Sequence, residues 1–282
     1  FREEMLNDSH IKELHDCLTP EDIFPNTNIR GGVCYFLRDS ANTNNDLVEV
    51  ITHENNSIIN ATIRPLKIEG LEFFMRDGKA IDIIKKVENS NFESFSNIIS
   101  SRKPFGLEGT FTKSKDFHKE VKGINDPIKC YGKAKNIGFV ERDIVTTNKK
   151  WIDKWKVMMP YANNIGTELN DDNLNAFVGE PNSICTETFL VVGAENNLNK
   201  ESANNLCKYL KTKFARFLHG LSKISQHATA KTYKFVPIQD FNNNTDIDWS
   251  KSIHEIDVQL YKKYNLTDAE VSYIERKIKE ME

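Results

Sequence analysis

Residues 200–221, KESANNLCKYLKTKFARFLHGL, give the clearest structural signal in this chain. Apolar side chains recur there every three or four positions, which predicts one long amphipathic helix. Its apolar stripe consists of Ala203, Leu206, Leu210, Phe214, Phe217 and Leu221. We therefore expect a helix that packs this stripe on a core and turns its lysines toward solvent.

The charge in and around this helix is one-sided. Residues 202–239 contain no Asp or Glu, and residues 102–156 have about twice as many Lys and Arg as Asp and Glu. The chain as a whole has a net charge of -3, so its acidic residues are concentrated elsewhere, notably in residues 240–282. Positive charge that is segregated in this way predicts a surface that contacts phosphates.

Length and composition favour a globular protein without a membrane segment. The chain has 282 residues, 39% of them hydrophobic, which is enough for a sizeable core. No apolar run approaches the roughly 18 residues that a membrane span requires. The five cysteines are odd in number and scattered, which favours reduced thiols, a cytoplasmic location and no metal site. Because the first residue is Phe1, we expect a fragment whose upstream sequence is missing.

The rest of the chain mixes strand and helix signals. Residues 29–37 form an apolar run that predicts a buried strand, and residues 47–52 are its expected hairpin partner. Thr267 and Glu270 have the spacing of a capping box, which predicts a C-terminal helix. Further strand-like runs occur at residues 129–131, 138–140, 155–159 and 187–192. The expected fold class is α+β.

Several stretches resemble one known family, in the same order along the chain. Residues 23–25 (IFP) and 29–37 (IRGGVCYFL) resemble the end of the methyltransferase domain in gamma-class adenine-N6 DNA methyltransferases. Five later stretches resemble the part that follows in restriction-modification members with a TaqI-like specificity domain. They are residues 100–106 (SSRKPFG), 182–190 (NSICTETFL), 211–217 (KTKFARF), 235–241 (FVPIQDF) and 260–267 (LYKKYNLT).

The resemblance implies a division of the chain and a set of partners. Residues 1–64 would be the edge of a Rossmann-like methyltransferase sheet, and residues 65–282 an α+β DNA target-recognition domain. The partners would be double-stranded DNA and a missing N-terminal catalytic domain, with S-adenosylmethionine as the cofactor of the full-length enzyme. The sequence has no Asn-Pro-Pro or Asp-Pro-Pro motif and no glycine-containing cofactor loop. We therefore expect no catalytic residue, no cofactor and no activity in this chain alone.

Phe24 is the expected base-stacking residue. Enzymes that modify a base inside a duplex extrude it from the stack, and the resemblance implies that Phe24 would stack on the extruded adenine. A phenylalanine that fixes the loop before the strand is the alternative.

The expected DNA contacts lie in four groups. One is the basic-aromatic cluster just before a predicted strand, in which Lys149, Lys150 and Lys154 are plausible phosphate contacts. The loop at residues 102–106 either reaches DNA or is a solvated loop anchored by Phe105. The Asn-Asn pair at 163–164 either reads an adenine edge or forms a turn. The basic helix end either contacts phosphates or is a solvated face. The full set is Arg102, Lys103, Phe105, Lys149, Lys150, Lys154, Asn163, Asn164, Lys211, Lys213, Arg216, Lys223, Gln226, His227 and Lys231.

Two other functions remain open at the level of sequence. Asp116 with Glu120 and Lys122 loosely imitates the metal-binding carboxylates and lysine of a restriction nuclease, which would use magnesium to activate water. Such an arrangement is common by chance. The amphipathic helices could alternatively dock a partner subunit, as in a protein-interaction module of the same system.

Overall fold

The computed structural model describes residues 2–26, 29, 32–41, 46–69, 71, 73–89, 91–133, 136–163, 174–223, 227–243 and 245–281. Its contacts divide the chain into two compact units, Phe1–Ile81 and Asp82–Glu282. Both contain helices and strands, so the fold class is α+β, as the sequence predicts. None of the helices in these described ranges is long and apolar enough to cross a bilayer.

The first unit is a four-stranded mixed sheet. Strand β1 pairs antiparallel with β2 and parallel with β3, and β3 pairs antiparallel with β4, which gives the order β2-β1-β3-β4. Ile11, Leu14, Val48, Val50 and Leu66 form its core on one face. The elements are α1 (Arg2–Leu6), β1 (Ile11–Cys17), β2 (Val33–Arg38), β3 (Leu47–Glu54) and β4 (Ser57–Pro65).

Two predictions about this sheet are wrong. Strands β2 and β3 are not hairpin partners, because β1 lies between them. Strand β2 is also not buried: Tyr35, Phe36 and Leu37 are 48%, 43% and 51% exposed. The apolar run correctly predicted a strand, but periodicity within one segment carries no information about which strand pairs with it or what covers it.

The first unit extends beyond the sequence-based boundary at residue 64. Leu66 belongs to the sheet core, and Phe74 packs against that core. Arg64 Nη2 donates a hydrogen bond to the Met75 carbonyl at 2.5 Å. Leu66 and Phe74 are therefore part of the first unit, because their side chains pack in or against the core of its sheet.

The second unit begins within helix α2 (Gly78–Glu88) and contains two three-stranded sheets. Their orders are β6-β5-β9 and β10-β7-β8. The sequence predicted four of these strands but missed β8 and β9, which have three residues each. The six strands are β5 (Pro127–Tyr131), β6 (Ile137–Glu141), β7 (Lys156–Pro160), β8 (Phe177–Gly179), β9 (Ser183–Cys185) and β10 (Phe189–Val192).

The long predicted helix is two helices, α3 (Lys200–Lys211) and α4 (Lys213–Ser222). Between them Thr212 is extended, with φ -60° and ψ 147°, and its side chain accepts a hydrogen bond from the Ala215 N–H. Thr212 thus ends one helix and caps the next. The predicted stripe is nevertheless buried as far as Phe217, because both helices face the same core.

Helices α5 (Ile253–Lys263) and α6 (Asp268–Lys277) complete the second unit. The predicted capping box of α6 is confirmed: the Thr267 side chain accepts from the Glu270 N–H, and Glu270 accepts from the Thr267 N–H. Ile274 of α6 is fully buried. A local capping motif was sufficient to locate this helix from the sequence.

Candidate nucleic-acid interface

The loop at residues 102–106 makes a tight turn. Lys103 and Gly106 both have left-handed backbones, with φ of 59° and 82°, and the Gly106 N–H donates to the Lys103 carbonyl at 3.0 Å. A Cβ atom at position 106 would lie 2.7 Å from the Thr146 hydroxyl, so only glycine fits. The turn is therefore held closely against the loop that contains Thr146.

Phe105 anchors this turn and does not reach a ligand. Its ring is fully buried and meets Trp151 edge to face, with ring centroids 6.4 Å apart. The Asn148 side chain donates to the Pro104 carbonyl at 2.8 Å. The expectation of a DNA contact by Phe105 is thus wrong, since its ring packs in the core. These contacts place the loop at residues 102–106 beside residues 148–151.

The second loop brings exposed lysines to the same region. Lys149, Lys150 and Lys154 are exposed. Lys150 pairs with Glu195 at 2.5 Å, and the Trp151 indole N–H donates to the same carboxylate at 3.0 Å. The hydrogen bonds from Lys150 and Trp151 lower the pKa of Glu195, which therefore stays charged. Within the described ranges, neither Lys149 nor Lys154 has an acidic partner.

Arg102 is the first member of a stack of planar groups. Its guanidinium lies over the Tyr161 ring at 5.1 Å, and Tyr161 stacks on the His227 imidazole with centroids 4.8 Å apart and planes 23° apart. Arg102 Nη2 also pairs with Glu187 Oε2 at 2.9 Å. The Arg102 side chain remains 53% exposed, whereas Glu187 is 15% exposed.

Backbone hydrogen bonds fix the members of this stack. The Tyr161 N–H donates to the Thr188 carbonyl at 2.9 Å, and the Ala228 N–H donates to the Tyr161 carbonyl at 2.7 Å. Glu187 Oε1 accepts from the Gly109 N–H at 3.0 Å. The backbone of Tyr161 is thus hydrogen-bonded to two other segments of the chain, through Thr188 and through Ala228, next to His227.

Lys103 is the remaining cation of the first loop, and it pairs with Glu108. We call the described set of Arg102, Lys103, Lys149, Lys150, Lys154, Tyr161 and His227 the loop surface. Six of these seven residues were predicted from the sequence as DNA contacts. They come together because two loops and one stacked pair adjoin, although they span more than a hundred positions of the chain.

Asn163 and Lys223 are not on this surface. Asn163 is 1% exposed, and its backbone carbonyl accepts a hydrogen bond from Lys223 Nζ at 2.6 Å. Lys223 itself is 5% exposed. The expectation that they contact DNA is wrong, because both are buried against each other. Asn164 and Gln226, also expected to contact DNA, lie outside the described residues.

The basic helix end is also largely buried. Lys213 is 8% exposed and pairs with Glu275. Arg216 is 2% exposed and donates to the carbonyls of Lys211 at 2.9 Å and Lys279 at 2.6 Å. Lys211 is half-buried. Lys213 and Arg216 were expected to meet phosphates, and instead they tie α4 to α6 and to the end of the chain.

Asp257 supplies hydrogen-bond acceptors for the first backbone N–H groups of α4. Its two carboxylate oxygens accept from the backbone N–H groups of Lys213 and Phe214, both at 2.9 Å. Burial raises the pKa of Asp257 to about 6, and these two hydrogen bonds offset part of that rise. The buried Asp257 carboxyl of α5 therefore lies beside the N-terminal N–H groups of α4 and near the buried guanidinium of Arg216.

Two further predicted residues are exposed. Lys231 lies in a single 3-10 turn, Ala230–Tyr233, shortly after His227. Phe24, in the first unit, is 47% exposed and so is not a core phenylalanine. Its assignment to base stacking stays a prediction.

Sequence reasoning missed Tyr161 and Glu187. Tyr161 is one aromatic residue among several, and its stacking partners are remote in sequence. Glu187 did give a signal, since it is an acid within the otherwise uncharged run of residues 181–194. A carboxylate in such a run needs a partner, which here is Arg102. Finding that partner required the tertiary structure.

The residues of the nuclease alternative lie at the surface. Asp116, Glu120 and Lys122 are all exposed, and Asp116 accepts a hydrogen bond from the Ser114 hydroxyl at 3.2 Å. In the portion of the chain that the structure describes, no three His, Cys, Asp or Glu side chains are grouped as metal ligands.

Fold and surface define an α+β protein with a cationic, aromatic loop surface. No family model and no curated protein matches the chain. Among solved structures, the chain is similar to the type IIG restriction endonuclease BpuSI, with a TM-score of 0.45 and 14% sequence identity. That match covers 98% of this chain and 43% of the endonuclease, so the chain spans less than half the length of that protein.

Proposed function

We propose that this chain is the DNA target-recognition part of a site-specific adenine-N6 DNA methyltransferase or restriction-modification enzyme. The observation that carries the proposal is the loop surface, where exposed cations from two adjoining loops flank a stack of planar side chains. Lysines without acidic partners suit phosphates, and planar arginine and aromatic groups suit bases. Both kinds of contact are needed for sequence-specific binding.

Phe24 has a separate role in this proposal. The family resemblance implies that it stacks on an extruded adenine, and its half-exposed ring supports that role. S-adenosylmethionine is, in this proposal, the cofactor of the full-length enzyme and would be held by the catalytic domain. The methyl transfer itself would depend on the catalytic domain.

The first unit also supports a catalytic-domain partner. Tyr35 and Leu37 project from one face of the edge strand β2 and Phe36 from the other, and all three are about half exposed. Ile58 and Ile63 of β4 are 64% and 72% exposed. A strand that is apolar on both faces is typical of a sheet covered on both faces. We infer that a further strand and apolar layers cover this sheet in the full enzyme.

The proposal is tested by selecting ligands for the chain from a pool of randomised duplexes. We expect one motif to be enriched and the affinity to fall steeply with salt, since each phosphate that the protein neutralises adds about 0.9 to the magnitude of the salt slope. The triple variant Lys149→Gln, Lys150→Gln, Lys154→Gln should bind all sequences more weakly and with a smaller slope.

The matched control is the triple variant Lys251→Gln, Lys262→Gln, Lys277→Gln. It replaces three exposed lysines that lie in α5, in α6 and just before α5. It removes the same charge elsewhere, so its motif and slope should stay close to those of the unchanged chain. An equal loss of affinity in both triple variants would contradict an interface on the loop surface. A chain that enriches no sequence would contradict target recognition altogether.

A further inference from the structure

We propose that Arg102 reads the edge of a guanine in the major groove and that Glu187 is the positioning residue that makes this selective. This inference rests on the proposed function and assigns one element of the recognised sequence to one side chain. It follows from the way in which Arg102 is held.

The Arg102 guanidinium is fixed in orientation on two sides. Its Nη2 atom forms an ion pair with Glu187 Oε2 at 2.9 Å, and one face of the planar group lies on Tyr161 at 5.1 Å. The side chain is still 53% exposed. A guanidinium has five N–H donors, and an ion pair at one nitrogen leaves donors on the other nitrogens for a ligand. An arginine held in this way is ready to donate two parallel hydrogen bonds.

Glu187 is itself rigid, and so it can position Arg102. It is 15% exposed, and its second oxygen accepts from the Gly109 N–H at 3.0 Å. Its own N–H donates to the Leu107 carbonyl at 2.9 Å. The carboxylate is therefore part of the same backbone framework as the loop, and Arg102 loses little further freedom when it binds.

The Glu187 charge selects the kind of acceptor that Arg102 favours. The Glu187 carboxylate offsets part of the positive charge that Arg102 presents, while the other N–H donors of the guanidinium stay directional. A phosphate is attracted mainly by net charge, whereas the O6 and N7 atoms of guanine are a neutral pair of acceptors with bidentate geometry. A paired arginine thus favours guanine over phosphate. Lys149, which has no acidic partner within the described ranges, is suited to a phosphate instead.

The experiment compares the unchanged chain with Arg102→Lys and Glu187→Gln, using the same pool of randomised duplexes. Arg102→Lys keeps the charge and removes the bidentate edge. It should reduce discrimination at one G·C pair of the motif by about tenfold or more and leave the salt slope unchanged. Lys149→Gln is the matched control and should keep the motif while reducing the slope.

Glu187→Gln keeps an oxygen for the Gly109 N–H but removes the charge that pairs with Arg102. We expect weaker discrimination at the same G·C pair together with a steeper salt slope, because Arg102 then carries its full charge. Thermal melting of each variant verifies that the chain is folded. Since Arg102 is half exposed, its replacement by lysine should leave the melting temperature close to that of the unchanged chain.

The outcomes separate this inference from the proposed function. Absence of any enriched motif with the unchanged chain would overturn the proposed function, and the inference with it. A motif without a G·C pair, or one that Arg102→Lys leaves intact, would overturn the inference alone. A lower salt slope for an uncharged replacement, Arg102→Gln, with an unchanged motif would assign Arg102 to a phosphate and would also overturn it.

Discussion

Helix α4 and the loop surface both carry positively charged side chains, but those of α4 are buried whereas the lysines of the loop surface are exposed. Lys213, Arg216 and Lys223 near or within α4 are at most 8% exposed and bind carbonyls or a carboxylate of the same chain. Lys149 and Lys154 of the loop surface are exposed. Burial, and not the density of positive charge along the chain, separates cations that hold the fold from cations that can hold a ligand.

This difference has a physical consequence for each region. Buried cations lose their hydration, so their partners are needed for the fold to be stable, and salt screens them little. Exposed cations contribute little to stability, and salt screens them strongly. Substitutions of buried residues in the helix pair and changes of pH should therefore alter the stability of the fold. Ionic strength should mainly alter ligand binding by the loop surface.

The largest expected effect is that of Arg216→Met. The change removes a buried guanidinium and leaves the carbonyls of Lys211 and Lys279 without that donor, so we expect the free energy of unfolding to fall by about 2–4 kcal/mol. Urea unfolding measures it. Lys231→Met is the control: that side chain is exposed, and its loss should change stability by less than about 0.5 kcal/mol. Equal losses of unfolding free energy in the two variants would contradict the view that buried cations hold the fold and exposed cations do not.

A second effect concerns His219, which is 1% exposed and stacks on Tyr233 with centroids 3.8 Å apart. Burial, with a smaller contribution from the Lys223 charge, lowers the pKa of His219 from 6.5 to about 3. Below pH 6.5 the unfolded chain therefore binds a proton that the folded chain does not bind. The corresponding stability is complete above about pH 6.5 and is lost as the pH falls toward 3.

The variant His219→Gln tests this effect, because glutamine does not titrate. Between pH 7 and pH 4.5 the unchanged chain should lose about 2–3 kcal/mol relative to His219→Gln, at about 1.4 kcal/mol for each pH unit below 6.5. Urea unfolding of both proteins at the two pH values gives the difference, and the other titrating groups cancel. A difference that does not change with pH would show that His219 is accessible to protons in the folded state.

The smallest expected effect is a gain of DNA affinity on the loop surface. Glu195 is 58% exposed and neutralises Lys150. Glu195→Gln should therefore strengthen duplex binding about two- to fivefold at low salt and make the salt slope steeper. Fluorescence anisotropy measures both quantities. Glu280→Gln removes an exposed acid from the end of the chain and should leave the affinity nearly unchanged; equal gains would indicate only an effect of net charge.

Local patterns predicted those parts of the fold that depend on neighbouring residues. The capping box at Thr267 located α6, and the apolar stripe from Ala203 to Phe217 predicted the buried face of α3 and α4. The break at Thr212 was not predicted, because apolar spacing continues through it. It depends on the Asp257 carboxylate, 45 positions later, which accepts from the first N–H groups of α4.

The residues predicted for the candidate site also fall into two groups, those that are exposed and those that tertiary packing buries. Arg102, Lys149 and Lys150 were predicted as DNA contacts and are exposed, as such contacts require, so their role stays a prediction. Lys213 and Arg216 were predicted with the same reasoning and are buried. Charge in a helix does not reveal whether another helix covers it.

By itself, the sequence determined the α+β class, most of the strands and helices, and the segregation of positive charge, because these follow from propensity, periodicity and composition along the chain. The tertiary structure decided which strands pair, which cations are buried, and that Glu187 holds Arg102 beside Tyr161. Those outcomes depend on contacts between residues far apart in sequence, whose geometry exists only after the chain has packed.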